Sequence, residues 1–158
     1  MRVDLHVHST ASDGSLEPEQ LVSLSLSSGL RALSITDHDS VDSVGRAGVA
    51  AEGTDLILIP GVELSTVHEG RDVHILGYFI DIEDARLLAE LKLLREARLE
   101  RAATIVDALG AAGYHLALEE VLLLAEGGSI GRSHVARALV DRGHAADVAD
   151  AFQRFIGR

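Results

Sequence analysis

The sequence predicts an α/β fold, with a parallel sheet in residues 1–80 and a helical segment in residues 81–158. Three observations point to it. Short apolar runs at Val3–Val7, Ala32–Ile35 and Leu56–Ile59 alternate with helical stretches. Each of these runs leads directly into His or carboxylate residues. Beyond residue 81 the apolar residues recur at helical rather than strand spacing.

The elements follow in order. Val3–Val7 is a strand. Pro18 suits a helix start, where a missing N–H costs nothing, and Leu21, Leu24 and Ser28 continue at helical spacing up to Gly29. Ala32–Ile35 is the second strand, and Val41–Ala51 is a helix despite Gly45 and Gly48. Leu56–Ile59 is the third strand, and its all-apolar content predicts burial on both faces. After the turn at Glu69-Gly70, Asp72–Ile80 is the fourth. The helical segment opens with an apolar stripe, Leu87, Leu91, Leu94, Ala102, Ile105 and Leu109, closed by Gly110 and Gly113. A short helix over Leu118–Ala125 ends at Gly127-Gly128. Ser133 is placed to cap a third, running to about Arg142, and Ala145–Ile156 is a fourth.

Composition excludes several classes of function. Lys and Arg number 14 against 25 Asp and Glu, a net charge of −11, which argues against general electrostatic binding to nucleic acid, and no binding of duplex DNA is expected. An anionic substrate stays open, because bound cations reverse a local field. With no Cys there is no disulfide, thiolate zinc site or thiol catalysis. Aromatic residues make up 3% of the chain and Trp is absent, so base-stacking platforms are scarce. The start Met1–His6 lacks the apolar core of a signal peptide, and no apolar run is long enough to span a membrane. A soluble, cytoplasmic protein without membrane contact is expected.

The chemistry concentrates at strand ends. His6 and His8 are two apart on a strand, so they point to one face and can chelate. Asp13 follows in the polar loop Ser9–Gly14. The second strand runs into Thr36-Asp37-His38-Asp39, and the third into Pro60-Gly61-Val62-Glu63. His74 lies on the fourth. An isolated His is more often a surface or core residue. Here three parallel strands deliver His or carboxylate to the carboxyl edge of one sheet, where α/β folds bind ligands. Mixed His and carboxylate donors suit Mn²⁺, Fe²⁺, Zn²⁺ or Mg²⁺. A carboxylate such as Glu63 has two oxygens and can bridge two ions, the arrangement that serves phosphoester hydrolysis. Separately, a helix start near Ser133 would present free N–H groups beside Arg132 and His134, a grip for phosphate. His68, His115 and His144 lack such context and are assigned to surface or packing, and Glu119, Glu120, Asp147 and Asp150 to solvated helix charges.

The motifs Asp4-Leu5-His6-Val7-His8-Ser9, Ser12-Asp13-Gly14, Ile35-Thr36-Asp37-His38-Asp39, Gly61-Val62-Glu63 and Val73–Tyr78 together resemble those of the PHP superfamily, named for polymerase and histidinol phosphatase. The helical segment, through Gly131–Val140, is similar to the insertion of one branch, the nucleoside 3′,5′-bisphosphate phosphatases that also act as 5′→3′ exoribonucleases. The resemblance implies the N-terminal part of a distorted (β/α)7 barrel plus a helical insertion, and a trinuclear metal centre with Mn²⁺ as the first choice. It implies His6 and His8 on a first ion, Glu63 bridging to a second that His74 also binds, and Asp13 with His38 on a third. Arg132, Ser133 and His134 would hold a substrate phosphate. The expected activity is metal-dependent hydrolysis of a nucleotide phosphate ester, such as a 3′,5′-bisphosphate, or of the 5′ end of a short RNA. The family's further ligands, a His before a Pro and an Asp-x-His pair from later strands, have no counterpart before Arg158. The expectation is therefore an N-terminal portion of a longer enzyme or a short relative. On either count the barrel is unfinished, catalysis by the chain alone is weak, and the open strand edges are covered by self-association, helix packing or partial disorder. A catalytically defective metal-binding or assembly module, or a phosphatase like histidinol phosphatase, are the alternative readings.

Overall fold

A computed structural model describes residues 2–157. Strands β1 (Val3–Val7), β2 (Ala32–Ile35) and β3 (Ile57–Leu58) form a parallel sheet in that order, connected by helices α1 (Pro18–Ser27) and α2 (Asp42–Ala51). Leu21 and Val22 of α1 and Ala47 and Ala51 of α2 pack with Leu33, Ile35 and Leu56, so the helices bury their apolar faces against the sheet. The α/β expectation and the parallel pairing hold.

The third strand departs from expectation. Only Ile57 and Leu58 pair with β2, and Ile57 is 61% exposed. Apolar content marked a strand but not which neighbours would cover it. The chain then enters β4 (Gly61–His68), a strand not foreseen, which pairs antiparallel along its whole length with β5 (Arg71–Tyr78). Glu69 and Gly70, with φ of 50° and 76°, make the tight turn between them. Glu63 therefore lies within a hairpin strand rather than at the end of a parallel one.

Two contacts tie this hairpin to the sheet. Beyond β2, His38 and Glu63 form a parallel bridge in which the Glu63 N–H donates to the Asp37 carbonyl (3.1 Å) and the Asp39 N–H to the Glu63 carbonyl (2.9 Å). The Tyr78 hydroxyl donates to the Leu5 carbonyl on β1 (2.8 Å). Sheet and hairpin make an open arc among the described residues, with the ends of β1 and β2 and the centre of β4 facing one mouth.

Helix α3 (Ala85–Ala111) is capped by the Asp84 carboxylate, which accepts from the Arg86 and Leu87 N–H groups. Its first half buries Leu91 against Val41, Val44 and Val62. Its second half joins α4 (Leu118–Leu124), α5 (Arg132–Asp141) and α6 (Val148–Ala151) in a separate apolar cluster that includes Val106, Leu109, Val121, Val135 and Leu139. The expected last helix is shorter than Ala145–Ile156. Asp147 caps α6 at Val148, and Phe152–Ile156 continues as a π-helical turn. Asp147 and Asp150 are thus partners of backbone N–H groups rather than free surface charges.

Candidate metal centre

Glu63 is the hub of the mouth and is 4% exposed. Its Oε2 lies 2.9 Å from His6 Nε2, 3.0 Å from His8 Nε2 and 3.6 Å from His38 Nδ1. Its Oε1 lies 2.8 Å from His74 Nδ1. The hairpin register explains the last contact. Glu63 pairs with Leu76 and Ser65 with His74, so Glu63 and His74 are diagonal neighbours on one face. Asp13 approaches from the loop after β1, with Oδ1 3.4 Å from His8 Nδ1 and Oδ2 3.9 Å from His38 Nε2. All six residues singled out by spacing meet at one place.

They sort into three overlapping groups: His6, His8 and Glu63; His8, Asp13 and His38; His38, Glu63 and His74. Within each group, one donor atom per residue lies within 4.8 Å of the others. Donors about 2.0–2.3 Å from a shared cation stand roughly 3–4 Å apart, so the spacing fits divalent ions. His38 Nδ1 gives a second sign: it is buried and has no hydrogen-bond partner. A buried imidazole nitrogen without a partner, aimed among carboxylates, fits a ligand.

The electrostatics hold three of the donors, His38, Glu63 and Asp13, in ligating form. Burial, with the nearby Arg98 charge, pushes the His38 pKa down to about 4, leaving a neutral ring. Burial alone would raise the pKa of Glu63, but the His6 hydrogen bond and the His38 and His8 charges outweigh it and hold it below the usual carboxylate range. Asp13 behaves alike: burial raises it, while His38, His8 and the Ser133 hydroxyl bring it lower overall.

Two buried carboxylates escaped the sequence reading. Asp37 accepts from the Ser9 N–H (2.7 Å), the Ser9 hydroxyl (2.6 Å) and the Ser12 hydroxyl (2.7 Å), and so folds the Asp13 loop. Gly14 closes that loop against His8, where an added Cβ would lie 2.1 Å from the His8 carbonyl oxygen. Asp39, in the left-handed region at φ 51°, accepts from the Ser65 N–H (2.8 Å) and pairs with Arg98 of α3. Arg98 also donates to the Ser65 hydroxyl (2.6 Å) and the Ile130 carbonyl (3.3 Å). Strand alternation about His38 offered a signal for Asp37 and Asp39, whose side chains point away from the mouth. Arg98 gave none, being one of several arginines on a long helix.

Two of the three residues expected to grip phosphate make other contacts within the protein. Gly131, not Ser133, is the residue before α5, and the Ser133 hydroxyl donates instead to Asp13 Oδ2 (3.0 Å). His134 is 2% exposed, and its Nδ1 accepts the Gly131 N–H (3.0 Å), so its ring fastens the start of α5 rather than facing a ligand. Arg132 does reach the rim. It lines a cavity of about 220 Å³ with Asp13, His38, His74, Arg98 and Ser133. A larger cavity of about 590 Å³ adjoins it and shares Arg101, Ile105 and Arg132. Of the histidines assigned to surface or packing, His68 and His115 are exposed, and His144 packs edge-on against Tyr114.

The PHP domain family matches residues 4–157. The chain belongs to that family. It is 42% identical over 157 residues to the 5′-3′ exoribonuclease Rnm of Escherichia coli K12, covering 98% of this chain and 54% of that protein. It is 35% identical over 155 residues to the 3′,5′-nucleoside bisphosphate phosphatase of Chromobacterium violaceum, covering 98% and 54%. Among solved structures, an amidohydrolase from Chromobacterium violaceum with bound sulfate and no metal superposes with a TM-score of 0.90 at 35% identity, over 99% of this chain and 55% of that one. The chain spans about half the length of the curated relatives it matches.

Proposed function

We propose that this PHP chain serves metal-dependent hydrolysis of a phosphate ester of a nucleotide, a 3′,5′-bisphosphate or the 5′ end of a short RNA. The observation that carries the reading is the meeting of three overlapping donor groups, two of them sharing Glu63, beside a cavity with an arginine rim. The names of the two relatives support the substrate class. Divalent ions held here, with Mn²⁺ as our choice, would supply Lewis-acid polarisation of a phosphoryl group and neutralise the charge that builds on its oxygens. The same proposal places the protein in the cytoplasm; no helix in the described residues is long and apolar enough to cross a membrane.

The chain's own residues divide the remaining work. His6, His8, Asp13, His38, Glu63 and His74 present imidazole nitrogens and carboxylate oxygens at the mouth. Arg132, 3.5 Å from Asp72 and part-exposed, can turn its guanidinium to a substrate phosphate. Arg101, 3.3 Å from the same carboxylate, adds a second cation on the rim. Around a chain of net charge −11, this cluster gives an anionic substrate one local site of attraction. Ser133 and His134 then act through position, the first by holding Asp13 and the second by holding the start of α5. The test is phosphate release from adenosine 3′,5′-bisphosphate with Mn²⁺. Release that depends on the metal, stops with chelator and is lost in Glu63→Gln supports the reading. Release indifferent to chelator and to Glu63→Gln overturns it.

A further inference from the structure

Beyond the Arg132 rim, residues of α3, the start of α5 and the π-helical turn line a cavity of about 590 Å³. Its size is that of small-molecule sites, roughly 300–1,000 Å³. Two features set its lining apart. The first is aromatic. The chain has five aromatic residues, three Phe and two Tyr. Tyr114 and Phe155 line this cavity, and Phe152 lines the mouth cavity that adjoins it. The second is cationic. Arg101, Arg132 and Arg154 line it against a single carboxylate, Asp72, in a chain where acids outnumber bases 25 to 14. Tyr114 meets Phe155 edge-on, with ring centroids 4.7 Å apart, and the Arg154 guanidinium lies 4.6 Å over the Phe155 ring. Asp150 (2.9 Å) and the His144 carbonyl (3.2 Å) hold that guanidinium in place. Flat surfaces are thus ordered before any ligand arrives, beside the apolar Ile105.

We infer that this cavity is a subsite for a nucleoside monophosphate unit, whose base lies against Tyr114, Phe155 and the Arg154 guanidinium and whose phosphate meets Arg101 and Arg132. Aromatic rings beside arginine side chains hold unpaired bases, because every base has a π-face to stack. Stacking is tolerant of sequence, so all four bases are accepted. The arginine fork matches phosphate oxygens. Asp72 holds both arginines on the wall between the cavities, at 3.3 Å and 3.5 Å, and a phosphate dianion takes its place. The inference deepens the phosphoesterase reading and rests on it for one point. Arg101, Ile105 and Arg132 belong to both cavities, so a nucleotide seated in the larger one has its other ester on the side of Asp13, His38 and His74. Binding of the base and phosphate does not depend on that reading.

The experiment is calorimetry of the chain in chelator, titrated with adenosine 5′-monophosphate, ribose 5-phosphate and the dinucleotide pApA, together with NMR of the aromatic rings. Adenosine 5′-monophosphate is expected to bind at least about fivefold tighter than ribose 5-phosphate. It should shift the ring protons of Tyr114 and Phe155 but not of Phe79, which lines neither cavity. Phe155→Leu keeps an apolar side chain without a ring. Its affinity for adenosine 5′-monophosphate should fall about 5–150-fold, the worth of one base–aromatic stack, with ribose 5-phosphate unchanged. Arg101→Gln should weaken both. Tighter binding of pApA assigns the ligand to RNA ends, and equal or weaker binding assigns it to free nucleotides; both keep the subsite. No binding, equal affinity for adenosine 5′-monophosphate and ribose 5-phosphate, or unmoved Tyr114 and Phe155 rings overturns it. If Phe155→Leu fails to fold, the wild-type comparison decides. Since no metal takes part, failure of the hydrolysis test leaves this measurement standing on its own.

Discussion

Glu63 joins four imidazoles through two oxygens, so its replacement is the most damaging single change to the mouth. Glu63→Gln keeps shape but exchanges an anionic oxygen for an amide. Two of the three donor groups contain this residue. Mn²⁺ affinity measured by calorimetry is expected to drop by more than about a hundredfold, beyond what loss of an orienting partner costs. His134 poses the opposite case. Its buried ring bonds the start of α5 and does not line the mouth cavity. His134→Ala is expected to cost about 2–4 kcal/mol by denaturant titration, from a lost hydrogen bond and an unfilled space. Mn²⁺ affinity under folding conditions should stay within a few fold. A large rise in KM for adenosine 3′,5′-bisphosphate at unchanged stability would return His134 to the phosphate-binding role.

At the scale of elements, the decisive feature is how the helical segment docks on the strands. Arg98 reaches from α3 to Asp39 and Ser65, Ser133 reaches from α5 to Asp13, and the Ser129 N–H donates to the Ala11 carbonyl (2.8 Å). Gly128 permits that last approach, since a Cβ there would lie 2.7 Å from the Ala11 carbonyl oxygen. Two substitutions probe this docking. Arg98→Ala leaves the fully buried Asp39 carboxylate without its charge partner, and about 3–5 kcal/mol of stability is expected to be lost on thermal unfolding. Gly128→Ala drives a methyl into backbone and should cost about 1–3 kcal/mol. Because the segment bears on the Asp13 loop, both variants should also weaken metal binding through Asp13 before they unfold.

Across the whole molecule, the mouth gathers ionisable groups whose shifts act in one direction. In the unfolded chain His38 titrates near its ordinary value of 6.5, and in the folded chain at about 4. Between those values the unfolded state binds the extra proton, so stability is intact above pH 6.5 and declines as pH falls toward 4. Asp13 and Glu63, both lowered on folding, extend the decline into the carboxylate range. The metal-free protein should therefore show a falling melting temperature from pH 7 to pH 4. The His38→Asn variant should lose the upper part of that decline, and an identical profile for the variant would assign it to other groups.

Several features were legible in the sequence because they depend on local pattern. The period of apolar residues marked β1, β2, α1 and α3, and the His-x-His pair required a shared face whatever lay around it. His8, Asp13 and His38 could be chosen because they follow apolar runs that have to enter a sheet, and His6 and His74 because they lie on strands themselves. Other features were set by residues far apart in the chain. The strand Gly61–His68 does alternate, but its place was decided by a bridge to His38 and a hairpin with β5. Ser133 sits where a cap is expected, yet its hydroxyl turns to a carboxylate 120 positions away. Asp37, Asp39 and Arg98 are charged residues that burial would ordinarily exclude, and they are held there by partners from other elements. Period and chain direction are properties of neighbouring residues. The partner of a buried polar group is chosen by the packing of the whole fold, and tertiary structure alone decided it.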